Sequence, residues 1–258
     1  WNVLLDSYGW TEVALRDQRY DAIIHLESAA VGAPDYYTTA NNEARLETPE
    51  QAAALDRAVQ TAWIGHPHLR VIDSSTSFED KMARTINAVA SVAGIPERRE
   101  IERKFLVKAG FDPSTLTVPH QTFQIAQTYL KTSDGSAARV RERRGQGAAV
   151  YTHNVKRYLE GGIREEHEVQ ISGREYVEFL TERDPARRTV RKERRCFLWE
   201  RQYFELDTFI EPRPGLTVLE IELQNADDEV KLPPFIEVTE DVTDDGTYTN
   251  YAMALTDD

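Results

Sequence analysis

The sequence predicts an α+β protein in which a partial α/β unit precedes an eight-stranded, mostly antiparallel barrel. Two patterns carry this prediction. Residues 22–92 alternate short apolar runs with segments of helical length, the order strand, helix, strand, helix that is typical of a parallel sheet. From Arg98 onward, apolar and charged residues alternate with a period of two, which indicates half-buried strands. The predicted domains are residues 1–95 and 96–258.

The first unit has recognisable helix signals. Thr48 is a good N-cap, Pro49 suits a first helical turn, and Gln51 stands where a capping box needs it. The predicted elements of this unit are helices at 1–19, 48–63 and 78–92 and strands at 22–26 and 69–73.

Composition and charge exclude several classes of protein. The chain has 258 residues, of which 40% are hydrophobic and 29% charged, and no apolar run is long enough to cross a bilayer. A net charge of -13 argues against a nonspecific nucleic-acid binder, although a local basic pocket could still bind an anion. Cys196 is the only cysteine, which fits a reducing compartment and predicts a cytoplasmic protein. Because the first residue is Trp1, we expect the chain to be part of a longer one.

The second unit is built from strands separated by turns. Glycine-containing turns at 133–135, 145–147 and 161–162 predict hairpins. A helix at 174–182 interrupts the series. Eight strands are enough to close a barrel. The predicted strands are 100–107, 123–132, 137–144, 149–159, 163–172, 189–199, 201–210 and 217–224.

Nearly every strand repeats charge on one face. In the first strand Glu100, Glu102 and Lys104 share a face. The later charged faces carry Arg139, Arg141 and Arg143; Asn154 and Lys156; Arg164, Glu166 and Glu168; Lys192 and Arg194; Glu205 and Asp207; and Glu220 and Glu222. Either these faces point to solvent around an apolar barrel core, or they point inward and form a charged tunnel. Burying so many charges is costly unless they pair or bind ions.

This ordered series resembles the CYTH, or triphosphate tunnel metalloenzyme, superfamily. The E-x-E-x-K signature stands here as Glu100, Glu102 and Lys104. The other matching motifs are Arg139-Val140-Arg141, Lys156, Arg164 with Glu166 and Glu168, Lys192-Glu193-Arg194, Asp207, Glu220-Ile221-Glu222, and the tail segments 237–239 and 248–250.

The resemblance implies a site for a linear triphosphate and a divalent metal. Lysine and arginine bind phosphate oxygens, whereas Mg²⁺ or Mn²⁺ prefers carboxylate oxygens. The implied phosphate-binding residues are Lys104, Arg139, Arg141, Arg143, Lys156, Arg164, Lys192 and Arg194. The implied metal ligands are Glu100, Glu102, Glu220 and Glu222, and the candidates for the catalytic base are Glu168, Glu166 and Asp207. For each residue the alternative is a salt bridge that braces the wall.

The first unit resembles the second half of the NadR-like P-loop ATPase domain that precedes a CYTH domain in the TRPL translocation defect protein family. The matching stretches are 20–26, 41–45 and 65–76. No G-x-x-x-x-G-K-[ST] loop is present, so the phosphate-binding loop would lie before Trp1. Arg45 would then occupy a lid position near a nucleotide, or else be a surface arginine beside Glu43 and Glu47. The histidines follow no metal-ligand spacing.

Two classes of function follow from these resemblances. The first is a metal-dependent triphosphatase acting on inorganic triphosphate, thiamine triphosphate or a nucleotide, and the many carboxylates favour it. The second is a nucleotide- and phosphoinositide-binding protein of membrane traffic, peripheral to a membrane, and the domain pairing favours it. A cyclase is a third option.

Overall fold

The structure is a computed structural model that describes residues 2–40, 44–94, 101–133, 135–145, 147–158, 164–223, 225 and 227–256, the side chains at 2, 157–158 and 164–166 excepted. The helices are α1 (Asn2–Tyr8), α2 (Ala29–Gly32), α3 (Pro49–Trp63), α4 (Phe78–Val92), α5 (Gly173–Leu180) and α6 (Asn250–Met253), with a π-helical turn at Val13–Asp17. The strands are β1 (Ile23–Leu26), β2 (Leu69–Ile72), β3 (Ile101–Val107), β4 (His120–Leu130), β5 (Ala137–Gly145), β6 (Ala148–Tyr158), β7 (Arg164–Ile171), β8 (Val190–Trp199), β9 (Gln202–Glu211), β10 (Thr217–Leu223) and β11 (Val238–Asp241).

The N-terminal unit contains the predicted strand, helix, strand, helix order. β1 and β2 pair in parallel, with Ile23 opposite Leu69, and α3 connects them. The capping box that starts α3 is confirmed, since Gln51 Oε1 accepts from the Thr48 backbone N–H at 2.9 Å and Thr48 Oγ1 accepts from the Gln51 backbone N–H at 3.3 Å. The single helix predicted over 1–19 is wrong. α1 ends at Tyr8 because Gly9 adopts a φ of +64°, outside the helical region.

Nine strands form one antiparallel sheet in the order β11-β3-β10-β9-β8-β4-β5-β6-β7. Eight of them are the predicted strands. The ninth, β11, was expected only as part of the C-terminal tail. The predicted closed barrel is wrong: within the described part of the chain no ladder joins β7 to β11, and the sheet is open. Closure depends on the stagger between the first and last strands, which a count of strands does not determine.

The apolar faces of the strands pack away from the charged faces. Phe105, Phe197, Leu206 and Leu219, from four different strands, are each at most 4% exposed and lie in one core cluster. A second cluster joins β5 to α5 through Val140 and other side chains. Turns between neighbouring strands contain Gly135 and Gly147 at φ of +77° and +80°, as the hairpin signals predicted.

Helix α5 follows β7 and begins with a second capping box, in which Ser172 and Glu175 bond each other's backbone N–H groups. None of the helices in the described ranges has the combination of length and apolar composition that crossing a bilayer requires.

The N-terminal unit packs on the sheet through a buried charged network. Asp17 accepts hydrogen bonds from Arg16 Nε and from Arg143 Nη1 of β5, both at 2.6 Å. Arg143 also donates to the carbonyl oxygen of Gly65, which precedes β2. These side chains lie at most 9% exposed, so the two parts of the chain share an interface. The division at residues 95 and 96, with a P-loop-type origin for the first part, stays a prediction.

Candidate active site

The charged faces of the strands meet at one cavity. Among the described residues, eight lysines and arginines and five glutamates line this cavity, so its wall is net positive although the chain carries -13. The sequence left open whether the charged faces of the strands point to solvent or inward. In the structure these side chains point inward, into the cavity. The predicted site residues that line the cavity are Glu102, Lys104, Arg139, Arg141, Arg143, Lys156, Glu168, Lys192, Arg194, Glu220 and Glu222.

Strands β3 and β10 place two glutamates beside Lys104 and a third opposite one of them. In their antiparallel register Glu222 lies opposite Glu102, and Glu220 lies opposite Lys104. Lys104 Nζ is 2.5 Å from Glu220 Oε1 and 2.7 Å from Glu102 Oε2. Burial would lower the pKa of Lys104, but the charges of Glu220 and Glu102 outweigh it and raise the pKa above its ordinary value.

Strands β8 and β9 contribute a denser network. Arg194 donates two hydrogen bonds to Asp207, at 2.7 and 2.6 Å, and also pairs with Glu205 and Glu220. Lys192 pairs with the same Asp207. Burial opposes the charged form of Arg194, yet the surrounding carboxylates, with Asp207 contributing most, raise its pKa well above the ordinary value. Asp207 has an exposure of 0% and lies behind the two cations, where it holds them in place.

Strands β5, β6 and β7 form the opposite wall. Arg141 Nη2 donates to both oxygens of Glu168, at 2.9 and 2.8 Å, with the two side chains 21% and 18% exposed. Arg139 and Lys156 line the cavity from β5 and β6. Glu168 is therefore a carboxylate that reaches the cavity and is oriented by a guanidinium.

Arg143 has a different environment from the other predicted phosphate-binding residues. Its guanidinium lies 3.4 Å from the centroid of the Phe123 ring and bonds Asp17 and the Gly65 carbonyl. With 9% of its side chain exposed, it joins the N-terminal unit to the sheet as well as bordering the cavity.

Several predicted residues fall elsewhere. Glu100 lies outside the described residues, as do the side chains of Arg164 and Glu166. Arg45 bonds the Thr38 carbonyl at 2.7 Å, next to the undescribed residues 41–43.

Two of the three histidines of the N-terminal unit, His25 and His66, have local hydrogen-bond partners. His66 Nε2 lies 2.9 Å from the Tyr20 carbonyl, and His25 Nε2 lies 3.2 Å from Asp56. Across the ranges that the structure describes, no three histidine, cysteine or acidic side chains form a complete metal-binding cluster, so a metal held here would need further ligands from water or substrate.

Sequence reasoning missed residues that other parts of the chain bring to the cavity. Arg70 and His68 of the N-terminal unit, Gln127 of β4, Tyr203 of β9 and Asn250 of α6 all line it. Asn250 belongs to a tail segment that the CYTH resemblance included. Nothing in the local pattern around Arg70 indicates the cavity, since its position depends on how the N-terminal unit packs.

The carboxylates on β3 and β10 fit a divalent cation of the magnesium type. Glu102 and Glu222 are directly opposed in the strand register, with side chains 43% and 31% exposed, and like charges at opposed positions favour a cation between them. Mg²⁺ keeps several waters and is usually held by one or two carboxylates together with substrate phosphates. Two facing carboxylates beside a row of phosphate-type cations meet that requirement.

Comparison with known proteins is consistent with this arrangement. Residues 98–239 match the sequence profile of the CYTH domain. The chain belongs to the CYTH family. A relative, the inorganic triphosphatase of Nitrosomonas europaea (strain ATCC 19718), is 34% identical over 157 residues, which cover 60% of this chain and 97% of the relative.

Solved structures of similar proteins were also found. The crystal structure of the inorganic triphosphatase NE1496 is 29% identical, covers 62% of this chain and 96% of that one, and gives a TM-score of 0.43. The structure of the PH1819 protein of Pyrococcus horikoshii OT3 is 19% identical in sequence, with an alignment that covers 48% of this chain and 78% of that one and a TM-score of 0.37. The CYTH assignment rests on the profile match and on the Nitrosomonas relative.

Proposed function

We propose that this CYTH protein hydrolyses a linear triphosphate in a reaction that depends on Mg²⁺ or Mn²⁺, with inorganic triphosphate as the preferred substrate. The observation that carries the proposal is the cavity itself, in which rows of lysine and arginine face opposed glutamates. A triphosphate has oxygens along its whole length, which matches cations repeated along neighbouring strands. The triphosphatase named among the relatives supports the same reaction class.

The cavity favours an inorganic substrate over one that carries a ring. Among its described lining residues the aromatic side chains are the phenol of Tyr203, whose hydroxyl accepts a hydrogen bond from Gly65 N at 3.2 Å, and the small imidazole ring of His68. A purine or thiamine ring would find little surface on which to stack. A charged wall instead matches a ligand made of phosphates alone.

In the proposed mechanism the side chains hold the triphosphate and orient the attacking water. Lys104, Arg141 and Arg194 exchange part of their pairing with glutamates for phosphate oxygens, and Arg139, Lys156 and Lys192 bind further oxygens. The water oxygen bonds the terminal phosphorus, the bridging P–O bond breaks, and pyrophosphate leaves as phosphate forms. Glu102 and Glu222 would hold the divalent ion, which would supply neutralising charge and acidify water. The proposed metal ligands also include Glu220 and Glu100. Arg164 and Arg143 are proposed as weaker phosphate-binding residues.

Glu168 is the best candidate for the group that takes the proton from water. Its carboxylate reaches the cavity and is held by Arg141. Asp207, by contrast, has an exposure of 0% and is enclosed by Lys192 and Arg194, so a substrate water has no direct access to it. Glu166 is retained as an alternative.

The test is phosphate release from inorganic triphosphate, thiamine triphosphate and ATP, each with Mg²⁺, Mn²⁺ or EDTA. We expect turnover of inorganic triphosphate with metal, and a loss of at least about 100-fold in Glu102→Gln and Glu222→Gln with unchanged melting curves. Glu237→Gln is the matched control, because Glu237 pairs with Lys108 on the surface, its side chain 66% exposed.

Other outcomes would contradict specific parts of the proposal. Turnover that persists in EDTA contradicts the metal requirement. A wild-type protein that hydrolyses none of the three substrates but binds inositol polyphosphate headgroups supports the binding protein of membrane traffic instead. Cyclic nucleotide formation from ATP would indicate a cyclase.

A further inference from the structure

Strand β2 of the N-terminal unit brings an additional arginine to the cavity. Arg70 Nη2 lies 2.5 Å from Glu222 Oε1, with side chains 17% and 31% exposed. We propose that Arg70 binds the terminal phosphate of the triphosphate, and that residues 67–70 close one end of the cavity and thereby select ligand length. This inference rests on the proposed function, because it specifies how the same cavity recognises the length of its ligand.

The backbone that carries Arg70 is held in place by buried neighbours. Leu69 and Ile72 on the same strand are 0% and 1% exposed. His66 is also 0% exposed, and its two ring nitrogens bond the Tyr20 carbonyl at 2.9 Å and the His68 N–H at 3.1 Å. Arg70 therefore projects from a fixed support, which lowers the entropy lost when it binds a ligand.

The segment before β2 is attached to the sheet at a position where only glycine fits. Gly65 has a φ of +97°, and a Cβ there would come within 2.6 Å of Gln121 Oε1 and 2.9 Å of the Phe123 ring. Its N–H bonds Tyr203 and its carbonyl accepts from Arg143. This contact sets where Pro67, His68 and Arg70 enter the cavity.

The segment lies at one end of the charged rows. Arg143 is the last of the three arginines of β5 that line the cavity, and it contacts Gly65. Glu222 is the last glutamate of β10, and it contacts Arg70. Lys156 lies at the far end of the opposite wall, where β6 pairs it with Ala137 at the start of β5. A triphosphate extended along the rows would present one terminal phosphate to Arg70.

Arg70 retains donors for that phosphate. Its Nη2 bonds Glu222 and its Nη1 lies 3.4 Å from the Leu69 carbonyl, whereas a guanidinium has five N–H donors. Bidentate contact between arginine and phosphate is geometrically favoured. Because Glu222 is also a proposed metal ligand, its carboxylate and Arg70 would exchange partners when the ligand enters.

Calorimetric binding of inorganic triphosphate to the full chain in EDTA tests the assignment without turnover. We expect Arg70→Ala to weaken triphosphate binding about tenfold. Arg70→Lys should weaken it less, because lysine keeps the positive charge but cannot make the bidentate hydrogen bonds of a guanidinium. Arg84→Ala is the matched control: Arg84 also pairs with a carboxylate, Asp73 at 2.8 Å, but does not line this cavity. It should bind within about twofold of wild type.

A double variant separates ligand contact from simple neutralisation of Glu222. If Arg70 contacts phosphate, Arg70→Ala added to Glu222→Gln again weakens binding about tenfold relative to Glu222→Gln alone. If Arg70 only neutralises Glu222, the double variant binds as tightly as Glu222→Gln, and the assignment is overturned. If Glu222→Gln and the double variant have equal melting temperatures, a difference in their triphosphate affinity does not come from a difference in folding.

Ligand length is tested with pyrophosphate, which need not reach both ends of the cavity. Arg70→Ala should weaken pyrophosphate binding by less than about twofold. An equal loss of affinity for pyrophosphate and triphosphate would contradict the proposal that Arg70 binds the terminal phosphate and so selects ligand length. If wild type and Arg70→Ala bind triphosphate equally well, the role of Arg70 is overturned and the proposed function is unaffected. Wild-type protein that neither binds nor hydrolyses triphosphate removes both.

Discussion

Lys104 and Glu220 face each other across strands β3 and β10, with Nζ and Oε1 2.5 Å apart. Both side chains are largely buried, 12% and 6% exposed. Burial would raise the pKa of Glu220, yet the charges of Lys104, Lys192 and Arg194 hold it well below its usual range. The centre of the candidate site is thus a set of mutually dependent charges, and removing one member has consequences for the others.

Replacing Lys104 by alanine should affect both stability and binding. Glu220 would keep Arg194 at 2.9 Å but lose its shorter contact, so the free energy of unfolding should fall by about 2 kcal/mol. Triphosphate binding should weaken while metal affinity changes less. Urea unfolding and calorimetry measure the two effects. Lys108→Ala is the control, since that lysine is 61% exposed and its ion pair should contribute less than about 1 kcal/mol. Equal losses in the two variants would contradict the prediction.

The depressed pKa of Glu220 predicts a specific dependence of stability on pH. A carboxyl group whose folded pKa is lowered stabilises the fold above its ordinary pKa of about 4.5, and this contribution disappears as the pH falls through the folded value. The stability difference between wild type and Glu220→Gln should therefore be constant from neutral pH to about pH 5 and shrink at lower pH. Urea unfolding at a series of pH values measures it. A difference that stays constant to pH 3 would contradict the predicted shift.

Cys196 should be chemically inert in the folded protein. Its exposure is 0%, and burial raises the pKa of its thiol to about 11. The thiolate is the reactive form, so a disulfide reagent at pH 8 should label the native protein at least about 100-fold more slowly than the urea-unfolded protein. Rapid labelling without unfolding would show that the β8–β9 region opens readily.

Gly65→Ala should detach the N-terminal unit from the sheet or strain it strongly. The variant combines a positive φ with close contacts to Gln121 and Phe123, and should cost about 3 kcal/mol or more. Gly94→Ala is the matched control, because Gly94 has a φ of +70° with no atom within 4 Å of an added Cβ, and should cost about 1 kcal/mol. Thermal unfolding of both variants measures the difference, and similar costs would show that the docking contact is not tight.

The sequence by itself determined the strands, the helix starts and the rows of charge. Alternation with a period of two is a local property, so the face shared by Glu220 and Glu222 or by Arg139 and Arg141 could be predicted before any partner strand was known. The helix start at Thr48 followed in the same way from capping chemistry within four residues. The ninth strand, β11, was missed because its four residues, Val-Thr-Glu-Asp, are too few to show alternation and lack the apolar run that marked β1 and β2.

Tertiary structure alone decided which charges meet and which residues of the N-terminal unit line the cavity. The contact of Arg70 with Glu222 joins residues 152 positions apart, and no local pattern encodes it. The same holds for Arg143, which is charged like its neighbours on β5 but is held by Asp17 and Gly65. The open edge between β7 and β11 also depends on stagger summed over nine strands. Packing free energy acts between surfaces that are distant in sequence, so these features arise only when the whole chain is folded.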